Sequence, residues 1–241
     1  MPRLAKTVST TVAAALFAAC PVVATAADAH PAPRHGTTHT NTQRHVRTDK
    51  FAGLRHGMRY AITAQLKSVT RMSDEAASLA LRDGSALQGS LTFDANAIRG
   101  DYNEVDGADS VRALHALLAD AITSRQVARV QFEVVVAADA VLDQTDALAG
   151  QIAEMQGELS ALDDVTMATA AAALNGVSDA LNTLTAQATG AVEFVLLISP
   201  DASRSALHTA NVQSQEALEM LTDGLAAVQA SLAGVQSDYG L

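Results

Sequence analysis

One uninterrupted stretch, residues 111–162, constrains the fold of this chain more than any other feature. It contains no proline, and its first glycine is Gly150. From Val127 onward, apolar side chains recur at alternating spacings of three and four, which is typical of a helix with one narrow apolar stripe. A straight helix of this length would be about 75–80 Å long at about 1.5 Å per residue. Because such a helix cannot bury its own stripe, the other segments must supply the faces that cover it.

Three other segments show the same helical periodicity. Residues 58–81 carry one apolar stripe, and Gly84 provides a stop shortly after it. A second stripe follows Asp163 and Asp164, which form a turn and N-cap pair, and it ends before Pro200. The last stripe starts after a cap at Asp201 or Ser203 and runs towards the C-terminus. The chain therefore contains four predicted helices.

The hydrophobic composition favours helices that pack closely on one another. The chain is 49% hydrophobic but only 3% aromatic, so its core must be built from Ala, Val and Leu. Small side chains let helices approach one another, which suits a bundle better than a barrel or a sandwich. We therefore predict an all-α fold, an antiparallel four-helix bundle with long coiled-coil-like helices, across residues 58–241.

Two regions have patterns that are also compatible with a strand or an extended segment. Residues 84–109 are the least regular, and the weak alternation over residues 90–93 predicts a short strand or an extended lid there. The acidic and amide side chains after Asp101 do not follow the spacing of a calcium loop, and they suit turns and a helix N-cap at Asp109 or Ser110 better. Residues 130–136 are rich in valine, but no turn signal bounds them, so we predict that they stay helical.

The N-terminus has the three regions of a secretory signal peptide. A short positive region precedes an apolar core, and small residues at positions 24–26 suit a signal peptidase. We predict that residues 1–26 are cleaved, which would leave the mature chain without cysteine. Alternatively, Cys20 and the three residues before it resemble a bacterial lipobox, although Phe17 stands where leucine is usual and a proline follows the cysteine. That resemblance implies a lipid anchor at Cys20 on the cell surface.

Residues 27–57 form the predicted disordered linker, which is rich in His, Thr, Pro and Arg. Clustered histidines can bind copper or zinc, so the tail offers an alternative metal-sequestering role. The spacings match no closed metal site, and neither a cysteine nor a carboxylate completes a ligand set, so a solvated linker is preferred. A glycosylated stalk is equally consistent with the composition. The histidines concerned are His30, His35, His39 and His45.

Charge is divided unevenly along the chain, whose formal net charge is −10. Basic residues concentrate in the tail and the first predicted helix, whereas residues 130–203 contain none. This distribution argues against nucleic acid or an anionic membrane as a partner of the bundle. The long helix presents an acidic face with no cation nearby on the same helix, suited to divalent cations, a basic partner or the chain's own tail, or simply to solvation. The face consists of Asp139, Asp143, Asp146, Glu154 and Glu158.

No standard catalytic motif is present, and we predict no enzymatic activity and no cofactor. The best single candidate for an acid or base is His115, which lies near Arg112 and Asp120 on the long helix. A lone histidine on a helix is more often a partly exposed packing residue.

We therefore expect a secreted, non-enzymatic helical bundle that acts by protein contact at or outside the cell surface, with an unidentified protein or a second copy as partner. A membrane-active, pore-forming protein is the alternative, because the apolar runs 134–138 and 192–198 could be released and inserted. Each run is far shorter than the roughly 20 residues that span a bilayer. The mature chain is predicted to have no transmembrane segment.

Overall fold

The computed structural model describes residues 50–241, and residues 1–49 lie outside the described part. Within the described part the chain is 88% helical, with five α-helices and no strand, which confirms the all-α prediction. The helices are α1 (Ala52–Ser78), α2 (Gly84–Glu104), α3 (Val111–Glu158), α4 (Asp164–Leu196) and α5 (Arg204–Tyr239).

The long helix predicted from the sequence is α3. Ser110 is its N-cap, and the Ser110 hydroxyl accepts the backbone N–H of Ala113 at 3.1 Å. At the other end a single 3₁₀ turn, Leu159–Ala161, continues the chain beyond Glu158. The valine-rich residues 130–136 are helical and contribute several buried side chains, because the neighbouring helices cover them on more than one side.

α4 and α5 each begin at an N-cap residue, and α5 ends at a glycine C-cap. The Asp163 carboxylate accepts the backbone N–H groups of Val165 and Thr166 at 3.2 and 3.1 Å. The Ser203 hydroxyl accepts the N–H of Ala206 at 3.2 Å, so α5 begins at the second of the two predicted caps. Gly240 ends α5 in the left-handed conformation, with φ of 69°, which glycine adopts without strain.

The prediction of an irregular segment or strand at residues 84–109 is wrong, since most of it forms α2. Its buried residues Leu87, Leu91, Ala95 and Ile98 follow a helical period that the scattered glycines obscured. Gly89 and Gly100 have nothing within 4 Å of an added Cβ, so they lie on the open side of the helix. The described residues therefore contain five helices rather than four. The first helix also starts earlier than predicted, at Ala52.

The five helices are arranged around α3, which packs against all the others. On one side, α1, α2 and α3 pack as a group of three, and on the other α3, α4 and α5 form a second group. Most of the buried apolar side chains of both groups belong to one continuous aliphatic cluster, with Ile62, Leu91, Leu114, Leu174 and Leu221 among the largest. Burying one such side chain contributes about 1.5–3 kcal/mol, so the shared core is the main source of stability.

Polar contacts set the positions of neighbouring helices relative to one another along their axes. Gln131 in α3 accepts the Ser90 hydroxyl of α2 at 2.9 Å and donates to the carbonyl of Ile198, just past α4, at 3.1 Å. Further along α3, Thr145 is buried and lies 3.5 Å from the Thr185 hydroxyl of α4. These contacts place the C-terminal end of α4 level with Gln131.

Candidate functional site

The structure gives part of the predicted acidic face a cation that the sequence pattern did not reveal. Arg82, in the connection between α1 and α2, donates from one guanidinium nitrogen to Asp143 at 2.9 Å and to Asp146 at 2.8 Å. Its backbone N–H donates to Asp139 at 2.9 Å. Hydrogen bonds to Asp143 and Asp146 raise the pKa of Arg82, so it stays charged. These three carboxylates therefore hold the α1–α2 connection against α3.

The other two residues of the predicted face are placed differently. Glu154 and Glu158 are exposed near the C-terminal end of α3, beyond the level of Arg82. Within residues 50–241, neither accepts a hydrogen bond or ion pair from another side chain. The acidic face is thus split into an internally neutralised part and a part that faces solvent.

The remaining predicted site residues all belong to the N-terminal part of the chain. Cys20 and the four histidines His30, His35, His39 and His45 lie outside the described residues. Among residues 50–241, no group of three or more His, Cys, Asp or Glu side chains is positioned to hold a metal ion. The metal-sequestering role and the lipid anchor therefore stay predictions.

The apolar runs considered for membrane insertion lie in α3 and at the end of α4, where most of their side chains are part of the core. In the described part of the chain, no helix combines the length and hydrophobicity needed to cross a membrane.

The histidine singled out by the sequence, His115, lines a groove between the N-terminal halves of α3 and α5. The groove has a volume of about 640 Å³. It is also lined by Arg129, further along the same helix, and by Arg204 and His208 of α5. Of these only His115 was singled out from the sequence. The missed signal is that Arg129 and Arg204 are two of the few basic residues after Asp101.

A second, acidic cleft of about 500 Å³ adjoins this groove and shares Ala119, Thr123 and Arg204 with it. Its carboxylates come from the end of α2, from α3 and from the α4–α5 connection. Burial, together with the charges of the other three carboxylates, raises the pKa of Asp101 to about 7. These carboxylates are Asp101, Glu104, Asp120 and Asp201.

Asp94 is a buried carboxyl two helical turns before Asp101 on α2. Its side chain is fully buried, and neither oxygen has a hydrogen-bond partner among the described residues. Burial raises the pKa of Asp94 to about 8. The side chain is therefore a neutral acid at pH 7, because an ionised carboxylate without a partner is too costly in an apolar interior.

The fold and these surfaces define an all-α helical protein with one continuous aliphatic core. Comparisons with protein-family models, with curated proteins and with solved structures find no match. What the protein does must therefore be inferred from its own surfaces.

Proposed function

We propose that this protein is a secreted, non-enzymatic helical bundle that acts through protein contacts at or outside the cell surface. The observation that supports this proposal is the acidic surface of the second helix group, which we propose as the contact surface for a basic partner. Free secretion follows from the predicted signal peptide at residues 1–26, with a lipid anchor at Cys20 as the alternative.

The C-terminal acidic surface is defined by exposed carboxylates on the end of α3, on α4 and on α5. Arg204 is the only lysine or arginine after Arg129, so these helices carry almost no permanent positive charge to neutralise the carboxylates. Three of them, Glu216, Glu219 and Asp223, share one face of α5 because they are spaced by three and four residues. The full set is Glu154, Glu158, Asp164, Asp179, Glu193, Glu216, Glu219, Asp223 and Asp238.

The carboxylates beside Arg82 form ion pairs with it. Within residues 50–241, the carboxylates of the C-terminal acidic surface form no such pairs. Like charges spaced along a helix are mildly destabilising, and a surface of one sign attracts and orients a partner of the opposite sign. A basic partner surface would offset the mutual repulsion of the carboxylates and dock fastest at low salt. A second copy could also dock here, since α1 carries exposed Lys67 and Arg71.

We further propose that successive long helices run antiparallel, with coiled-coil-like packing. The support is the order of contacts, because Thr145 meets Thr185 whereas the earlier residue Gln131 meets the later residue Ile198. Gly224 of α5 also lies against Leu184 of α4, whose Cδ1 would be 3.0 Å from an added Cβ. Such close contact suits small residues along the seam between two helices.

The proposal is tested by measuring how the mature protein binds washed cells of the producing organism. The test variant carries Glu216→Gln, Glu219→Gln and Asp223→Asn, and the control carries Asp74→Asn, Glu75→Gln and Asp109→Asn, which removes the same charge from the first helix group. We expect saturable binding that weakens with salt, with a loss of affinity of about tenfold or more in the test variant and little change in the control.

Absence of saturable binding, or an equal loss in the two variants, would contradict the proposal. Mass spectrometry of the mature N-terminus from fractionated cells distinguishes the two forms of export. Free secretion predicts a chain that starts after residue 26, and the anchored alternative predicts lipidated Cys20 at the N-terminus.

A further inference from the structure

The groove beside His115 exists because α4 is shorter than its neighbours. The bond from Gln131 to the Ile198 carbonyl sets the end of α4 level with the middle of α3. Beyond that level, α3 continues towards Val111, and α5 starts at Arg204 alongside it. With no third helix between them, α3 and α5 leave a groove of about 640 Å³. This lies within the range of roughly 300–1,000 Å³ found for small-molecule sites.

The groove combines an apolar floor with a positive rim. Leu118, Ile122 and Leu207 are among the apolar side chains that line it. The two arginines and two histidines, Arg129, Arg204, His115 and His208, are its only charged or titratable lining residues in the described chain. The groove itself is lined by no carboxylate, although the protein carries a formal net charge of −10.

The donors on the rim are free to bind a ligand. Arg204 is exposed and makes no hydrogen bond or ion pair within residues 50–241. Arg129 uses its Nε to donate to Glu133 at 2.7 Å, which leaves its two terminal nitrogens available. Guanidinium groups pair with carboxylates through two parallel hydrogen bonds, so the rim matches a carboxylate in charge and geometry.

The stripe of α5 is also interrupted by polar residues beside this groove. Asn211 occupies a stripe position and lines the groove. One turn further, Ser214 is buried with 4% of its surface exposed, and its hydroxyl has no partner among the described residues. Polar residues at such positions weaken helix packing. Their position beside the groove therefore favours a role in the groove over a role in the core.

We propose that this groove binds a small amphipathic carboxylate, with its apolar body over Leu118, Ile122 and Leu207 and its carboxylate at Arg129 and Arg204. Arg204 lies between the groove and the adjoining acidic cleft, because it lines both. The site lies outside the C-terminal acidic surface, and it therefore stands or fails independently of the proposed protein contact.

The test is a titration of residues 27–241 with octanoate, followed by calorimetry and by amide chemical shifts in nuclear magnetic resonance spectra. Octanol keeps the apolar body without the charge, and inorganic phosphate keeps an anion without the body. We expect octanoate to bind about tenfold or more tightly than either, because both parts of the site are needed. The shifted amides should lie in residues 115–130 and 204–215.

Variants of the rim arginines distinguish binding at this groove from a general attraction between opposite charges. Arg204→Gln and Arg129→Gln should each weaken octanoate binding by about fivefold to tenfold, whereas Arg71→Gln, an exposed change on α1, should leave it unchanged. Both rim residues are exposed, so the variants should fold, and circular dichroism checks that they do.

Several outcomes would overturn the proposal. These are no binding of octanoate up to millimolar concentration, equal affinity for octanol or for phosphate, unchanged affinity in both rim variants, or shifts confined to other helices.

Discussion

At the scale of single residues, the most unusual feature is a pair of carboxyl groups on α2, one fully buried and one partly buried. Burial raises the pKa of Asp94 to about 8, and burial with neighbouring carboxylates raises that of Asp101 to about 7. In an unfolded chain these groups release their protons near the ordinary aspartate pKa of 3.8. Between these pH values the folded state binds more protons than the unfolded state. Stability is therefore greatest below about pH 4 with respect to these groups, and falls as pH rises to about 8.

Asp94→Asn should remove the contribution of Asp94 to this pH dependence. The amide has nearly the same shape but cannot ionise. Between about pH 5 and 7.5, the fall of the unfolding free energy with rising pH should therefore become less steep by about 1.4 kcal/mol per pH unit. Urea unfolding at several pH values measures the slope. Asp179→Asn, an exposed change on α4, is the control and should leave it unaltered. An unchanged slope in Asp94→Asn would mean that Asp94 is ionised and partnered in the folded protein.

The burial of Asp94 could not be predicted from the sequence pattern. Its position suits the buried face of α2, four residues before Ile98 and three after Leu91, yet its residue type predicts a solvated side chain. Burial depends on which helices cover that face, and this is decided by tertiary packing. His115, by contrast, could be picked out in advance, because so few histidines lie outside the tail.

At the scale of the elements, the helices with unbroken stripes and strong caps were predictable, and α2 was not. The pattern located α3 and gave Ser110 as one of its two candidate caps. It also located α4 at Asp163 and α5 at one of two candidate caps, of which Ser203 is the one used. In α2, glycine lowers the intrinsic helix propensity by about 1 kcal/mol per residue. The packing of Leu87, Leu91 and Ile98 against the core compensates for this loss, and a single sequence does not reveal that packing.

The connection between α1 and α2 depends on Arg82, whose acidic partners lie 57 to 64 residues away in sequence. We predict that Arg82→Met loosens this connection, since Asp143 and Asp146 then repel each other without a cation between them. Amide hydrogen exchange of residues 79–83 should become several-fold faster, while the middle of α3 stays protected. Lys67→Met, an exposed change on α1, is the control.

Salt provides an independent check on the Arg82 contact. The difference between Arg82→Met and the native protein should shrink at high ionic strength, because exposed ion pairs are screened. If exchange in residues 79–83 were equal in the two proteins at low salt, the contact would not hold this connection.

At the scale of the whole molecule, α3 is shared by two helix groups that differ in charge. The first group carries most of the arginine and lysine, and the second carries the C-terminal acidic surface. This division was predictable, because it follows from residue order. The groove between α3 and α5 was not, because it follows from the level at which α4 ends, which depends on the contact between Gln131 and Ile198.

The shared helix also implies that the two groups unfold together. Val127, Val134 and Ala138, in the middle of α3, are at most 1% exposed, and residues of this segment contact both sides of the molecule. Loss of either group would uncover this apolar stripe, so partial unfolding is strongly opposed.

Native-state hydrogen exchange followed residue by residue tests this arrangement most directly. We predict that amides of residues 127–142 exchange slowest, with an opening free energy equal to that of global unfolding, and that core amides of α1, α2, α4 and α5 approach the same value as denaturant is added. The arrangement would be contradicted if residues 127–142 exchanged as fast as the ends of α3, or if one helix group opened well below the global free energy while the other stayed closed.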